Sequence, residues 1–254
     1  MKAWMNNLSS LVITDLKEFF RVRLIITSSA LMPVIMTLAY GLGMKGNGDS
    51  IEGMPYFDFI FPGILALGTM FSAVFCGGYI IILDRQKSLI RDLLLSPVSY
   101  STYILARLFA AVIKSSAQFV FCLIVAIPFI ERGFVVHPFM LLTAFFLTAL
   151  LFAAVGMILG SFSNVLTFPG IANFVLLPSM FFGGVFFPLS NFKTLGVAIQ
   201  LIPFTGSVGI LRYSITGTNL WGSMGLNFFM LLFYTFGAIA FWIWFFKKRI
   251  RRGL

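Results

Sequence analysis

Residues Phe59–Pro97 read FIFPGILALGTMFSAVFCGGYIIILDRQKSLIRDLLLSP. From Phe59 to Leu83 no side chain is charged. A helix needs roughly 20 mostly apolar residues to cross a hydrocarbon core of roughly 30 Å, so this run predicts a membrane span. The segment that follows, Asp84–Pro97, predicts a short amphipathic helix beside the membrane. Leu89, Ile90, Leu93 and Leu94 fall on one helical face, Arg85, Lys87, Arg91 and Asp92 surround them, and Pro97 ends the helix. Such a helix either inserts its leucines into a partner's groove or lies in the interface without a partner. Composition alone leaves both readings open.

Working outward, similar apolar runs near 24–43, 107–130, 139–162, 166–188 and 225–246 complete a set of six predicted spans. Hydrophobic residues make up 59% of the 254 and charged residues 10%, which excludes an ordinary soluble domain. The expected fold is an all-α polytopic membrane protein, with 1–254 forming one transmembrane domain. Basic residues set its orientation. Placing both termini inside puts the clusters Lys2–Arg23, Arg85–Lys114 and Lys247–Arg252 on the cytoplasmic side and leaves only Lys45, Arg132, Lys193 and Arg212 outside, a split of 14 to 4. The net charge of +10 is therefore read as topology rather than as affinity for nucleic acid.

Two flanking regions stand out. In residues 1–23, Leu8, Leu11, Val12, Leu16, Phe19 and Phe20 recur at helical spacing among Asp15, Lys17, Glu18, Arg21 and Arg23, predicting an amphipathic helix in the inner interface rather than a cleavable signal peptide. Between spans five and six, 188–218 is too apolar for a solvated loop yet is broken by Pro188, Pro203, Gly206 and Gly209. It predicts either a helical hairpin re-entering the outer leaflet, where irregular backbone must be shielded by protein or line a cavity, or a pair of helices lying on the surface. The tetrapeptide FPGI occurs at Phe61–Ile64 and Phe168–Ile171, a match expected by chance in a chain so rich in these residues.

The chemistry that is missing narrows the function. No GxxxxGK[ST] phosphate loop occurs, so the chain does not hydrolyse ATP alone. His137 is the single histidine, which excludes a multi-histidine metal site, and no metal or cofactor is expected on this chain. Cys76 and Cys122 sit in apolar runs and read as small buried hydrophobes. Asp49, Glu52, Asp58 and Glu131 flank spans or lie in loops, which argues against a proton-driven antiporter. Lys114, with Gln118 one turn later, is the ionisable residue deepest in a predicted span. It either snorkels to the inner headgroups or faces a pathway. Phe71, Phe75 and Phe182 are further candidates for a greasy pathway, with packing or lipid contact as the plainer role of each. Intramembrane lipid chemistry would need convergent acids, histidines or nucleophiles, and none converge here. A secondary transporter or channel stays open as a second class.

The order of parts resembles the type-2 ABC exporter permeases. Asp84-Arg85, Leu93-Leu94 and Pro97 match that family's coupling helix, while FFGGVFFPLSN followed by IPFTGSVGILRY matches its outer region, with Pro203 and Arg212 in the corresponding places. The sequence departs from the family's frequent Gly-Thr and Glu, reading Ser88-Leu89 and Arg91. The resemblance implies a pair of permeases, each docking its coupling helix (Asp84, Arg85, Arg91, Asp92, Leu93, Leu94, Pro97) on one of two separate ABC ATP-binding subunits. Those partners would bind ATP and Mg. It further implies export, across a bacterial-type inner membrane, of an amphipathic drug, lipid or lipid-linked glycan.

Overall fold

The computed structural model describes residues 23–44, 50–51, 53–87, 89, 99–130, 137–189, 199–220 and 222–251. The expected interfacial helix up to residue 22, most of the predicted docking helix (Ser88 and Ile90–Val98) and 190–198 of the outer hairpin lie outside these. The described chain is mostly helical: α1 (Arg23–Met44), α2 (Tyr56–Gln86), α3 (Tyr100–Ala126, prolonged by a 3₁₀ turn at Ile127–Phe129), α4 (Pro138–Phe162), α5 (Phe168–Phe182), α6 (Pro203–Thr216) and α7 (Met224–Arg251). A two-residue hairpin, β1 (Ser50–Ile51) with β2 (Met54–Pro55), leads into α2. Its turn uses Gly53 at φ 78°. Prolines sit at or just before the starts of α2, α4, α5 and α6, where a missing N–H costs nothing. Ser99 caps α3 by accepting from Thr102 N at 3.2 Å.

Among the described residues, four stretches are long and apolar enough to cross a membrane: Tyr56–Gln86, Tyr100–Phe129, Pro138–Phe162 and Met224–Lys248. They coincide with predicted spans two, three, four and six. The fifth differs. A span over 166–188 was expected, but α5 has 15 residues, roughly 22 Å at 1.5 Å per residue, short of a 30 Å core. Gly183 and Gly184 stop it, Gly184 at φ 71°, a left-handed conformation that costs little only for glycine.

The middle of the bundle is α2, buried for most of its length. Its packing on α4 is backbone against backbone. A Cβ at Gly156 would come 2.8 Å from Val74 Cα, and one at Gly160 would come 2.5 Å from Gly78 O. Small residues on facing helices allow this approach, which in lipid replaces the hydrophobic effect as the source of helix association. Most hydroxyls in the bundle are absorbed by their own helix, as Thr69 donates to Leu65 O at 2.9 Å and Ser179 to Val175 O at 2.8 Å. These two do not bond between helices, as polar residues in spans often do.

Candidate functional site

The C-terminal end of α2 is where the sequence placed its docking segment, and its described flanks are tightly braced. Asp84, in the last turn of α2, is buried. Its Oδ1 accepts from Arg107 Nη2 at 2.9 Å and its Oδ2 lies 2.8 Å from Arg107 Nε, an ion pair with α3. Tyr103, one turn before Arg107 on α3, donates its hydroxyl to Asp84 Oδ2 at 2.5 Å. The Tyr103 ring in turn stacks on Phe246 of α7, with centroids 5.5 Å apart and planes at 20°. Arg85 turns toward α4, donating to Ser161 O at 2.5 Å and Ser163 O at 3.0 Å. A guanidinium there satisfies orphan carbonyls and complements the negative end of the helix dipole.

Asp84 and Arg85 therefore hold the root of the segment and present nothing to a partner through these bonds. Arg91, Asp92, Leu93, Leu94 and Pro97 lie outside the described residues. Leu89 is described and exposed. Sequence reasoning missed Tyr103 and Arg107 as the partners of Asp84. The available signal was an acid closing one span followed by an arginine early in the next, because an antiparallel helix pair brings those levels together.

The pathway candidates are divided between adjacent stripes of α2. Phe71 and Phe75 continue to Tyr79 in a stacked ladder with centroid spacings of 6.4 and 6.1 Å. Phe168, from the first turn of α5, meets Phe75 and Tyr79 edge-on at 5.7 and 5.2 Å. Phe71 and Phe75 stay half-buried, and Phe182, at the far end of α5, is exposed. Lys114 and Gln118 lie instead on the α3 face turned to the Gly68 stripe of α2, Lys114 half-buried and Gln118 buried. The structure does not gather Lys114 and Gln118 with the aromatic ladder.

At the opposite end of α2, Arg212 joins three elements. It is 1% exposed, within α6. It donates to Phe59 O at the start of α2 (3.0 Å) and to Gly184 O after α5 (3.1 Å), and its guanidinium lies 4.0 Å from the centroid of the Phe59 ring. Pro203 opens α6, Tyr234 of α7 donates to Leu201 O at 2.9 Å, and Pro188 is half-buried in the chain leaving α5. One face of α6, from Phe204 through Val208 and Leu211 to Ile215, is buried in the bundle. Arg212→Ala is expected to cost about 3 kcal/mol, since two charge-assisted bonds disappear and two buried carbonyls are left behind. Arg212→Lys should recover only part, because a point charge does not reproduce the planar fork or the stacking. Thermal unfolding midpoints of the purified variants check the order wild type, Lys, Ala. His137 is exposed and its ring stacks on Tyr213 at 5.5 Å. No group of three metal-ligating side chains occurs among the described residues.

A family model described as ABC-2 type transporter matches residues 6–216. The inner membrane transport permease YadH of Escherichia coli K12 is 27% identical over 223 residues, covering 84% of each chain. The protein of the same name from Shigella flexneri matches to the same extent, at 27% over 223 residues.

Proposed function

Because the chain belongs to the ABC-2 type transporter family, we propose that it is the membrane subunit of an ATP-driven exporter, powered by a separate ABC ATP-binding protein. The observation that carries this reading is the braced root of the docking segment. Residues 88–98 connect two helix ends that are tied to each other by Asp84, Arg107 and Tyr103, to α4 by Arg85 and to α7 by the Tyr103 stack. A push on Leu93 and Leu94 from a partner is thus delivered to four helices as one body. Flexible attachment would dissipate it.

In this reading the chain crosses the inner membrane six times as one domain, with both termini inside. α1 supplies the first crossing, the short α5 supplies the fifth together with neighbouring chain, residues 1–23 lie in the inner interface, and α6 belongs to a hairpin re-entering from outside. Two copies pair, each docked on one of two ATP-binding subunits that hold ATP and Mg. Closure of those subunits moves the docked helices, and α2 and α3 carry the motion between inward-open and outward-open packings. The cargo is an amphiphile, since the half-exposed Phe71, Phe75 and Tyr79 ladder offers apolar rings with one hydroxyl.

The test uses the permease co-expressed with an ATP-binding subunit that co-purifies with it. Leu93→Asp or Leu94→Asp is expected to lower that co-purification by at least about tenfold while leaving the permease folded, because a charge at the centre of a docked apolar patch is a hot-spot loss. Unchanged co-purification and unchanged substrate-stimulated ATP turnover would remove the docking role.

A further inference from the structure

Gln118 sits near the middle of α3, 4% exposed, and its amide oxygen Oε1 has no hydrogen-bond partner. An unsatisfied amide is costly at membrane depth, where no bulk water competes for it. Its surroundings are specific. On α2 it lies against Gly68, where any Cβ would collide with Gln118 Nε2. Beside the same glycine stands Pro33 of α1, whose Cβ would lie 3.0 Å from that added carbon. Pro33 has no N–H, so the Ser29 carbonyl one turn earlier loses its helical donor. One turn toward the cytoplasm, Lys114 is near enough to act electrostatically on Cys76, and Ser72 Oγ lies 4.0 Å from Cys76 Sγ. Three helices thus bring an unpartnered amide oxygen, a broken backbone ladder and a glycine that the amide packs against to one level, with a cationic group on the inner side.

We infer that this Pro33–Gly68–Gln118 node binds the hydroxylated head group of an uncharged amphiphile. The inference rests on the reading of the chain as an amphiphile exporter and names the chemistry of its cargo. A hydroxyl both donates to Oε1 and accepts from Nε2, so a diol or sugar satisfies the amide completely. A carboxylate brings no donor for Oε1. A quaternary ammonium brings none either and is repelled by Lys114, while a hydrocarbon leaves the amide as it is. Gly68 lets the amide lie against the α2 backbone, because a side chain there would take the place of Nε2.

The test uses the full-length permease in lipid nanodiscs, without an ATP-binding subunit. The probes are 1-monodecanoyl glycerol and its 2,3-dimethyl ether, which keeps the shape and removes both hydroxyl donors. Binding is read as the concentration dependence of the thermal unfolding midpoint, because a ligand that binds only the folded state raises it. The glycerol ester is expected to stabilise the wild type with at least tenfold higher affinity than the ether. Gln118→Leu should abolish that preference without lowering the ligand-free midpoint, since it deletes an unsatisfied group. Gly68→Ala, which pushes the amide aside, should weaken ester binding in the same direction. Equal affinities for ester and ether, equal ester binding by wild type and Gln118→Leu, or a fall in the ligand-free midpoint of Gln118→Leu would each overturn the inference. None of these readouts involves ATP, so their failure is distinct from a failure of docking by Leu93 and Leu94.

Discussion

Gly156→Leu is expected to leave almost no folded protein. At the α2–α4 contact an added side chain would meet backbone of the facing helix. The first carbon of that side chain already falls 2.8 Å from Val74 Cα, and Val74 O is nearer still. Backbone does not move aside as a side chain does, so the helices must separate along the whole stripe of Val74, Gly77 and Gly78 against Ala153, Gly156 and Gly160. Overpacking a core by one small group costs about 1–3 kcal/mol, the range expected for Gly156→Ala. Leucine forces separation by several ångströms, and a loss above about 4 kcal/mol follows. Gly170→Leu and Gly225→Leu are the controls, because nothing lies within 4 Å of an added Cβ at either position. Size-exclusion profiles and unfolding midpoints in mild detergent should separate Gly156 from both controls.

The second large effect is at Asp84. Asp84→Ala removes two contacts to Arg107 and the acceptor for Tyr103, and strands a guanidinium that is 5% exposed. Breaking a buried pair from one side costs about 3–5 kcal/mol, most of it the penalty of the orphaned charge. Replacing both partners with apolar residues, as in Asp84→Leu with Arg107→Met, should return most of that stability. The double variant then separates structure from coupling. It is expected to fold and to bind the ATP-binding subunit, yet to show at least about fivefold less substrate-stimulated ATP turnover, because the two helix roots no longer move as one. Restored stability with restored turnover would reduce the pair to a packing element.

The helices were legible because lipid leaves so few options. Long apolar runs bounded by charge place α2, α3, α4 and α7 within a few residues, and no tertiary knowledge is needed when every backbone group must be satisfied locally. The length of α5 was not legible. Its apolar run continues through Phe186 and Phe187, while the helix ends at Gly183 because of backbone geometry and the Arg212 bond to Gly184 O, neither of which hydropathy registers. Arg212 itself was named from its place in an outer motif, and its role as the tie between α2, α6 and the end of α5 emerges only from three-dimensional proximity. Asp84 and Arg85 were singled out with the docking segment, but their side chains face inward. Charge beside a membrane looks the same in sequence whether it meets a partner or a neighbouring helix. Gln118 was read as a pathway candidate from polarity alone, whereas Gly68 and Pro33, which give it a setting, carry no chemical signal of their own.

The central claim is that motion in this chain is driven from outside it, by ATP. Reconstitution into proteoliposomes, with a fluorescent amphiphile loaded on the ATP-accessible side, tests it directly. The account predicts accumulation across the membrane only when permease, ATP-binding subunit and ATP are all present, and its loss in Leu93→Asp. Accumulation by the permease alone, driven by an ion gradient and indifferent to ATP, would contradict it and make the chain a secondary transporter.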